Sequence, residues 1–359
     1  MKNIYDIAVV GCGIAGASIV YQAKSKGLKT AVFEKGDISL NASCAAGAFL
    51  SPKFGPKSAY SEFVNRAFLY SMDFYRKDFN EFLDECGMLR MARDKDEINK
   101  CEGYTKDSPF WIKEMNGYRC TEAGLISPLD TIKKMVSFAD FYENSEVREF
   151  CYEDESWSVG SIRAKHLVLA SGAKSLFKEP YLRIKAIFGQ KLEAKSKNGF
   201  DFGIHRKCSI SPIKDGIVHI GASHIASWRY KESEELFERY KNALVCEAEE
   251  LLGNRVSVIK ESRGFRSSTA DFFPYCGQII DSKKTLMKTP NLTSGALADE
   301  REFIYHKNLW IHQGHGARGF VLAPYTAFHL IKQILCEKSD EEYIGLKRAF
   351  LRHARRLKA

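Results

Sequence analysis

Gly11-Cys12-Gly13-Ile14-Ala15-Gly16 fits G-x-G-x-x-G, a spacing whose chemistry is the holding of a pyrophosphate. Gly11 permits a tight turn, Gly13 lets the backbone approach the phosphates, and Gly16 lets a helix pack closely on a strand. Ile14 and Ala15 fall in the first helical turn, where unpaired amides and the positive dipole end meet negative charge. Glu34, 23 positions after Gly11, can accept hydrogen bonds from ribose hydroxyls, with Lys35 beside it as a further cofactor contact. A second G-x-G-x-x-G occurs at Gly314-His315-Gly316-Ala317-Arg318-Gly319.

These residues need elements to position them. Ile4 to Val10 is an apolar run of the kind a buried parallel strand shows. A helical stretch follows through Lys26, closed by Gly27, and a second strand runs from Thr30 to Phe33. Strand before, helix after and acid at the second strand's end together specify a dinucleotide unit. The second glycine loop follows a strand at Asn308 to His312 and precedes an apolar helix at Val321 to Leu335. No returning strand with an acid comes after it, which argues against a second nucleotide. The reading is one FAD, with the helix after Gly319 aimed at it and stabilising negative charge on the N1–C2=O side of the reduced ring.

The middle of the chain reads as strand-rich. Tyr181 to Lys191, Cys208 to Ile213 and Ile217 to Ala222 look like antiparallel strands, and Glu232 to Leu252 like an amphipathic helix with Phe237, Tyr240, Leu244 and Leu251 on its buried face. The aromatics of Ser61 to Cys86 read as core helices rather than a base-stacking platform. The fold class is α/β: a Rossmann-type FAD-binding domain with an inserted antiparallel-sheet substrate domain. The FAD-binding domain is expected from residues 1–80, 126–176 and 260–359, and the substrate domain from 81–125 and 177–259.

Composition bounds the rest. In 359 residues, 45% are hydrophobic and 28% charged, the ordinary globular range. No apolar stretch is long enough to cross a membrane, and the N-terminus lacks a signal-peptide pattern, so a cytoplasmic location is expected. Ten cysteines without a CxxC pair read as reduced thiols. His312 and His315 lack cysteine or carboxylate companions at ligand spacing, so no metal site is expected. The net charge is +9, and Lys347, Arg348, Arg352, Arg355, Arg356 and Lys358 supply six cations without an acid. A helix there reads either as a solvated end or as a phosphate-contacting patch.

Four blocks resemble the D-amino-acid oxidase superfamily, also known as the glycine oxidase or sarcosine oxidase type. They are the N-terminal unit; Asn41-Ala42-Ser43-Cys44-Ala45-Ala46-Gly47-Ala48; His166 to Ala173, containing Ala170-Ser171-Gly172; and Gly264-Phe265-Arg266-Ser267-Ser268-Thr269-Ala270-Asp271-Phe272-Phe273-Pro274-Tyr275-Cys276-Gly277, followed by the glycine loop and Pro324. The resemblance implies that Ala42, Ser43 and Gly47 run along the flavin and pyrophosphate, that Ala170 and Gly172 lie beside the FAD, and that Gly316, Ala317, Arg318 and Gly319 complete the cofactor site. Within the superfamily the chain is most similar to the FAD-dependent domain of the bifunctional tRNA 5-methylaminomethyl-2-thiouridine biosynthesis proteins. Gly314 to Pro324, Ile220-Gly221-Ala222-Ser223 and Gly189-Gln190 carry that likeness. It implies removal of the carboxymethyl group from 5-carboxymethylaminomethyl-uridine at the tRNA wobble position, giving 5-aminomethyl-uridine and glyoxylate. It also implies a separate methyltransferase for the next step, since the dinucleotide strand begins at Ile4. Asn41 and Ala45 depart from the family loop, which has glycine and asparagine there.

The chemistry fits an N-substituted glycine. Hydride transfer needs a cation to hold the carboxylate so that the C–H points at the flavin, and arginine's planar fork suits it. The resemblance places Arg266 in that role, against the alternative of a structural salt bridge. Tyr275, His224 and His315 could tune the amine proton, though each reads first as packing. Arg318 could contact tRNA, the carboxylate or a backbone carbonyl. An anticodon loop presents its wobble base splayed and reachable. Two competing readings are a small-molecule oxidase or dehydrogenase acting on glycine, sarcosine or a D-amino acid, and a flavin-bearing RNA-binding protein without catalysis.

Overall fold

A computed structural model describes residues 4–106, 108–114, 117–222, 225–226, 234–296 and 299–357. The elements that position the site, in chain order, are β1 (Tyr5–Val10), α1 (Ile14–Ser25), β2 (Thr30–Phe33), α2 (Ala59–Asp78), β3 (Ile162–Leu169), β4 (Lys185–Lys195), α3 (Glu234–Leu252), β5 (Ser257–Ser268), β6 (Tyr275–Ile280), β7 (Tyr305–Gln313), α4 (Gly319–Ile334) and α5 (Lys347–Arg356).

The first sheet is built on β1. It pairs in parallel with β2 on one side and β3 on the other, β2 pairs in parallel with Asp140–Tyr142, and β3 with β7. β6 closes the far side antiparallel to β7. Ile7, Val9, Leu167, Val168 and Leu309 are wholly buried, because a sheet covered on both faces demands continuous apolar strands. Helices α1, α2 and α4 pack together on one face; Ile19, Phe63, Phe68, Leu322 and Leu330 belong to that core.

The second sheet is centred on β4, which pairs antiparallel with β5 along its whole length and with Ile217–Gly221 on its other edge. The sheet is antiparallel except where Gly203–His205 runs parallel to Met88–Arg90. Helix α3 covers it, burying Phe237, Leu244, Ala248 and Leu252; Tyr240 and Leu251 are only half-buried. The aromatics of α2 are core, as expected, but the helix stops at Asp78.

Three expected boundaries move. β4 begins at Lys185, because Tyr181 turns away to the first sheet, where its hydroxyl donates to Ile280 O (3.0 Å) and accepts from Ile280 N (2.7 Å). The strand expected at Cys208 to Ile213 shrinks to Ser209–Ile210, since Pro212 has no N–H for a ladder. Residue 260, the expected start of the third FAD-domain segment, falls inside β5, which stays hydrogen-bonded to β4 through Ser268. The strand that carries Arg266 therefore lies in the second sheet.

Candidate active site

β1, β3 and β7 are parallel, with Val10 opposite Leu169 and Leu169 opposite Ile311. The turns that leave their carboxyl ends must then open on one edge of the sheet, which is where open α/β sheets bind ligands. Residues 11–16, 170–172 and 314–319 meet there. Gly11 has φ +104°, and a Cβ on it would stand 2.5 Å from Ala170 O; one on Gly16 would stand 1.9 Å from Gly11 O. Neither position accepts a side chain.

A cavity of about 520 Å³ opens from this edge toward the second sheet. Gly13, Ile14, Ala15, Ala42, Ser43, Gly47, Ala170, Gly172, Gly316, Ala317, Arg318 and Gly319 line it. Gly11, Gly16, Glu34 and Lys35 stand behind that wall. Glu34, expected to receive ribose hydroxyls, binds two backbone amides: Oε2 accepts from Cys12 N (2.8 Å) and Oε1 from Lys35 N (2.9 Å). Its remaining lone pairs are what it has to offer a ribose. The Lys35 side chain is exposed. Asn41, a departure from the family loop, holds that loop shut: Nδ2 donates to Cys12 O (3.1 Å), and Oδ1 accepts from the amides of Ser43 and Cys44 (3.0 Å each). Ser43 Oγ in turn accepts from Ile14 N (3.0 Å). The cradle of glycines, two helix N-termini and an apolar floor fit FAD.

Two buried hydroxyls fix the first turn of α4 at the cavity wall. Tyr75 donates to Phe320 O (2.9 Å) and Ser71 to Val321 O (2.7 Å). Arg318 meets one of its expected partners, a backbone carbonyl, donating through Nη1 to Ser51 O at 2.8 Å; burial lowers its pKa. His312 Nδ1 lies 3.0 Å from Ala15 O, so that nitrogen carries the proton, and Nε2 accepts from Thr326 (2.7 Å) or His315 (3.2 Å). Burial lowers both histidines, His312 to about 4.

Arg266 reaches the cavity from β5, opposite Ile187 of β4. A Cβ on Gly189 would stand 2.6 Å from its Nη2 and 2.8 Å from its Cζ, so the guanidinium lies directly over that glycine. Burial lowers its pKa. His315 lines the cavity. Tyr275 does not: its hydroxyl donates to Tyr181 O (3.2 Å) inside the core, which removes it as a group tuning the amine proton. His224 lies outside the described residues.

The cavity is also lined by residues that no motif pointed to: Lys53, Phe54, Arg90, Trp111 and Lys207. They fall in no recognisable spacing, and three of them look like ordinary surface cations. No aspartate or glutamate lines the cavity among the described residues. Burial, then repulsion from Arg318 and Arg90, lowers the pKa of Lys53 to about 8.

The basic C-terminal helix divides in two. α5 buries Ala349, Phe350 and Ala354, while Arg348 (2.5 Å) and Arg352 pair with Asp271, leaving Arg355 and Arg356 exposed. One group of possible metal ligands, Glu179, Asp281 and His306, lies within 4.8 Å. Its atoms are engaged internally: His306 Nε2 with Glu179 Oε1 (2.7 Å), Ser282 Oγ with Glu179 Oε2 (2.5 Å), and Asp281 with Lys284 N (2.9 Å). Among the described residues, no helix is long and apolar enough to cross a membrane.

Residues 6–333 match the family described as DAO, FAD dependent oxidoreductase. Among curated proteins, the chain is 24% identical over 98% of its length to the tRNA 5-methylaminomethyl-2-thiouridine biosynthesis bifunctional protein MnmC of Campylobacter jejuni, and spans 58% of that protein. It is 25% identical over 83% of its length to glycine oxidase of Bacillus licheniformis, covering 90% of it. Glycine oxidase from Geobacillus kaustophilus superposes with a TM-score of 0.75 at 19% identity, over 97% of this chain and 98% of that one. Iminodiacetate oxidase from Chelativorans sp. BNC1 gives 0.71 at 14% identity, over 96% and 98%.

Proposed function

From a chain that belongs to the DAO family of FAD-dependent oxidoreductases, we propose an enzyme that removes the carboxymethyl group from 5-carboxymethylaminomethyl-(2-thio)uridine at the tRNA wobble position. The observation that carries this reading is the charge of the cavity. Arg266, Arg318, Lys53, Arg90 and Lys207 line it, and no carboxylate does among the described residues. A free amino acid brings one carboxylate, for which a single arginine suffices. The Campylobacter jejuni relative, matched across almost this whole chain, is named for tRNA 5-methylaminomethyl-2-thiouridine biosynthesis.

Bound FAD supplies the hydride acceptor. Arg266, over Gly189, would bind the substrate carboxylate through two parallel N–H bonds and hold the neighbouring methylene in place for oxidation. The methylene C–H breaks as hydride, and the nitrogen lone pair forms the C=N bond. Water adds to that imine; glyoxylate leaves, and 5-aminomethyl-uridine stays on the tRNA. The α4 N-terminus and residues 316–319 offer amides and a dipole to negative charge at the cofactor's edge.

One observation favours a second reading, a small-molecule amine oxidase: a free-standing glycine oxidase is matched over 90% of its length. Anaerobic titration separates the two. The purified yellow protein is mixed with tRNA bearing the carboxymethylaminomethyl group, and separately with glycine, sarcosine and D-alanine. Bleaching of the flavin by the tRNA is expected; bleaching by a free amino acid alone overturns the tRNA reading.

A further inference from the structure

The cavity has more positive charge than a carboxylate needs, and part of that charge sits beside aromatic rings. Lys53 is largely buried, and its ammonium donates to a carbonyl, Phe54 O (3.1 Å). Among the described residues Arg90 pairs with Glu97 at 3.3 Å, and Glu97 is shared with Arg93 (3.0 Å). Among the described residues, Arg90 Nε and Trp111 Nε1 are buried without a hydrogen-bond partner. Lys207 stands at the more open side, 3.8 Å from Glu247.

The rings form one cluster. Phe54 meets Trp111 edge-on at 5.1 Å and Tyr118 at 5.5 Å, and Arg90 Cζ lies 5.6 Å from the Phe54 centroid. Phe54 and Trp111 reach the cavity; Tyr118 backs them. An apolar ring wall next to three cations suits a ligand that is flat at one end and carries an anion with several acceptor oxygens at the other. A nucleotide has that shape: bases stack on aromatic side chains, and phosphate oxygens take Arg and Lys donors.

We infer that the part of the cavity lined by these residues is a nucleotide subsite, in which Phe54 and Trp111 face the pyrimidine ring and Arg90, Lys53 and Lys207 take a backbone phosphate adjoining it. The inference rests on the tRNA reading above and names how that substrate is gripped once Arg266 has its carboxylate.

Binding to the FAD-loaded protein tests it, independently of turnover. Uridine, uridine 5′-monophosphate and uridine 3′-monophosphate are titrated calorimetrically against wild type, Arg90→Gln and Lys207→Gln. One of the monophosphates is expected to bind at least about tenfold tighter than uridine, about 1.4 kcal/mol, and each variant is expected to shrink that ratio. Lys207 is mostly exposed, so its variant keeps the test alive if Arg90→Gln does not fold. Equal affinity of uridine and both monophosphates overturns the subsite, and so does a ratio that survives both substitutions. Flavin bleaching by modified tRNA, run beside it, reports on the tRNA reading alone: bleaching without a phosphate preference removes the subsite and keeps the reading. A phosphate preference without bleaching does the reverse.

Discussion

Gly189 and Arg266 are separated by a single hydrogen's worth of space. A methyl group on Gly189 would stand 2.6 Å from Nη2, and both residues are held in register by the β4–β5 ladder, so the guanidinium has to move instead. Gly189→Ala should therefore raise KM for the carboxylate substrate about 10- to 100-fold, about 1.4–2.8 kcal/mol, with FAD content unchanged. A wild-type KM in that variant would mean that Arg266 does not take the carboxylate. Lys53 makes the second prediction at this scale. Its pKa near 8 leaves the ammonium charged below that pH and neutral above it, so an anionic substrate loses one attraction as pH rises through 8. The kcat/KM profile should bend downward there, and Lys53→Arg should carry the bend to higher pH; the same limb in both proteins would count against Lys53. Arg266 could be found from sequence because it lies in a motif. Gly189 was visible only as part of a matching strand, and nothing in the sequence said which side chain its missing Cβ makes room for.

At the scale of elements, His312 ties three together: it sits on β7, bonds Ala15 O in α1 and meets Thr326 in α4. Its pKa falls from the ordinary 6.5 to about 4 in the fold, and His315 falls with it. Between those values the unfolded chain takes up protons that the folded chain refuses, so stability is full above pH 6.5 and declines as pH drops toward 4. For His312 alone the loss amounts to about 3 kcal/mol. His312→Gln should lower stability at neutral pH and flatten the decline, read as Tm against pH; a variant with the wild-type slope would place the proton uptake elsewhere. The hydroxyl of Tyr75 holds the first turn of α4 against α2, and Tyr75→Phe should cost about 1–3 kcal/mol in urea denaturation by leaving Phe320 O without that donor. The dinucleotide unit was legible at this scale because strand, turn, helix and acid each have a separate physical requirement. The strand expected at 208–213 was cut short by the missing N–H of Pro212. Tyr181 was misplaced because an aromatic between two sheets carries no mark of which one it joins.

Over the whole molecule, the +9 charge divides into what the fold uses and what it leaves for a partner. The composition could not make that division, since six cations on the C-terminal segment look alike in sequence. In the structure Arg348 and Arg352 neutralise Asp271, and Asp271 follows closely on the strand that carries Arg266, so those two arginines serve the architecture that delivers β5 to β6. Arg355 and Arg356 end the same helix in the open. If the proposed tRNA substrate enters the cavity by its wobble nucleotide, its polyanionic stem can lie along the outer surface, and each phosphate neutralised contributes about 0.7–0.9 to the slope of log K against log salt. Replacing Arg355 and Arg356 together by Gln should weaken tRNA binding and reduce that slope by up to about 2, with Tm unchanged. Arg348→Gln should instead lower Tm, because it leaves Asp271 half-buried with one partner fewer. If the slope stays at its wild-type value in the Arg355/Arg356 double variant, the end of α5 is a solvated helix terminus and takes no part in binding tRNA.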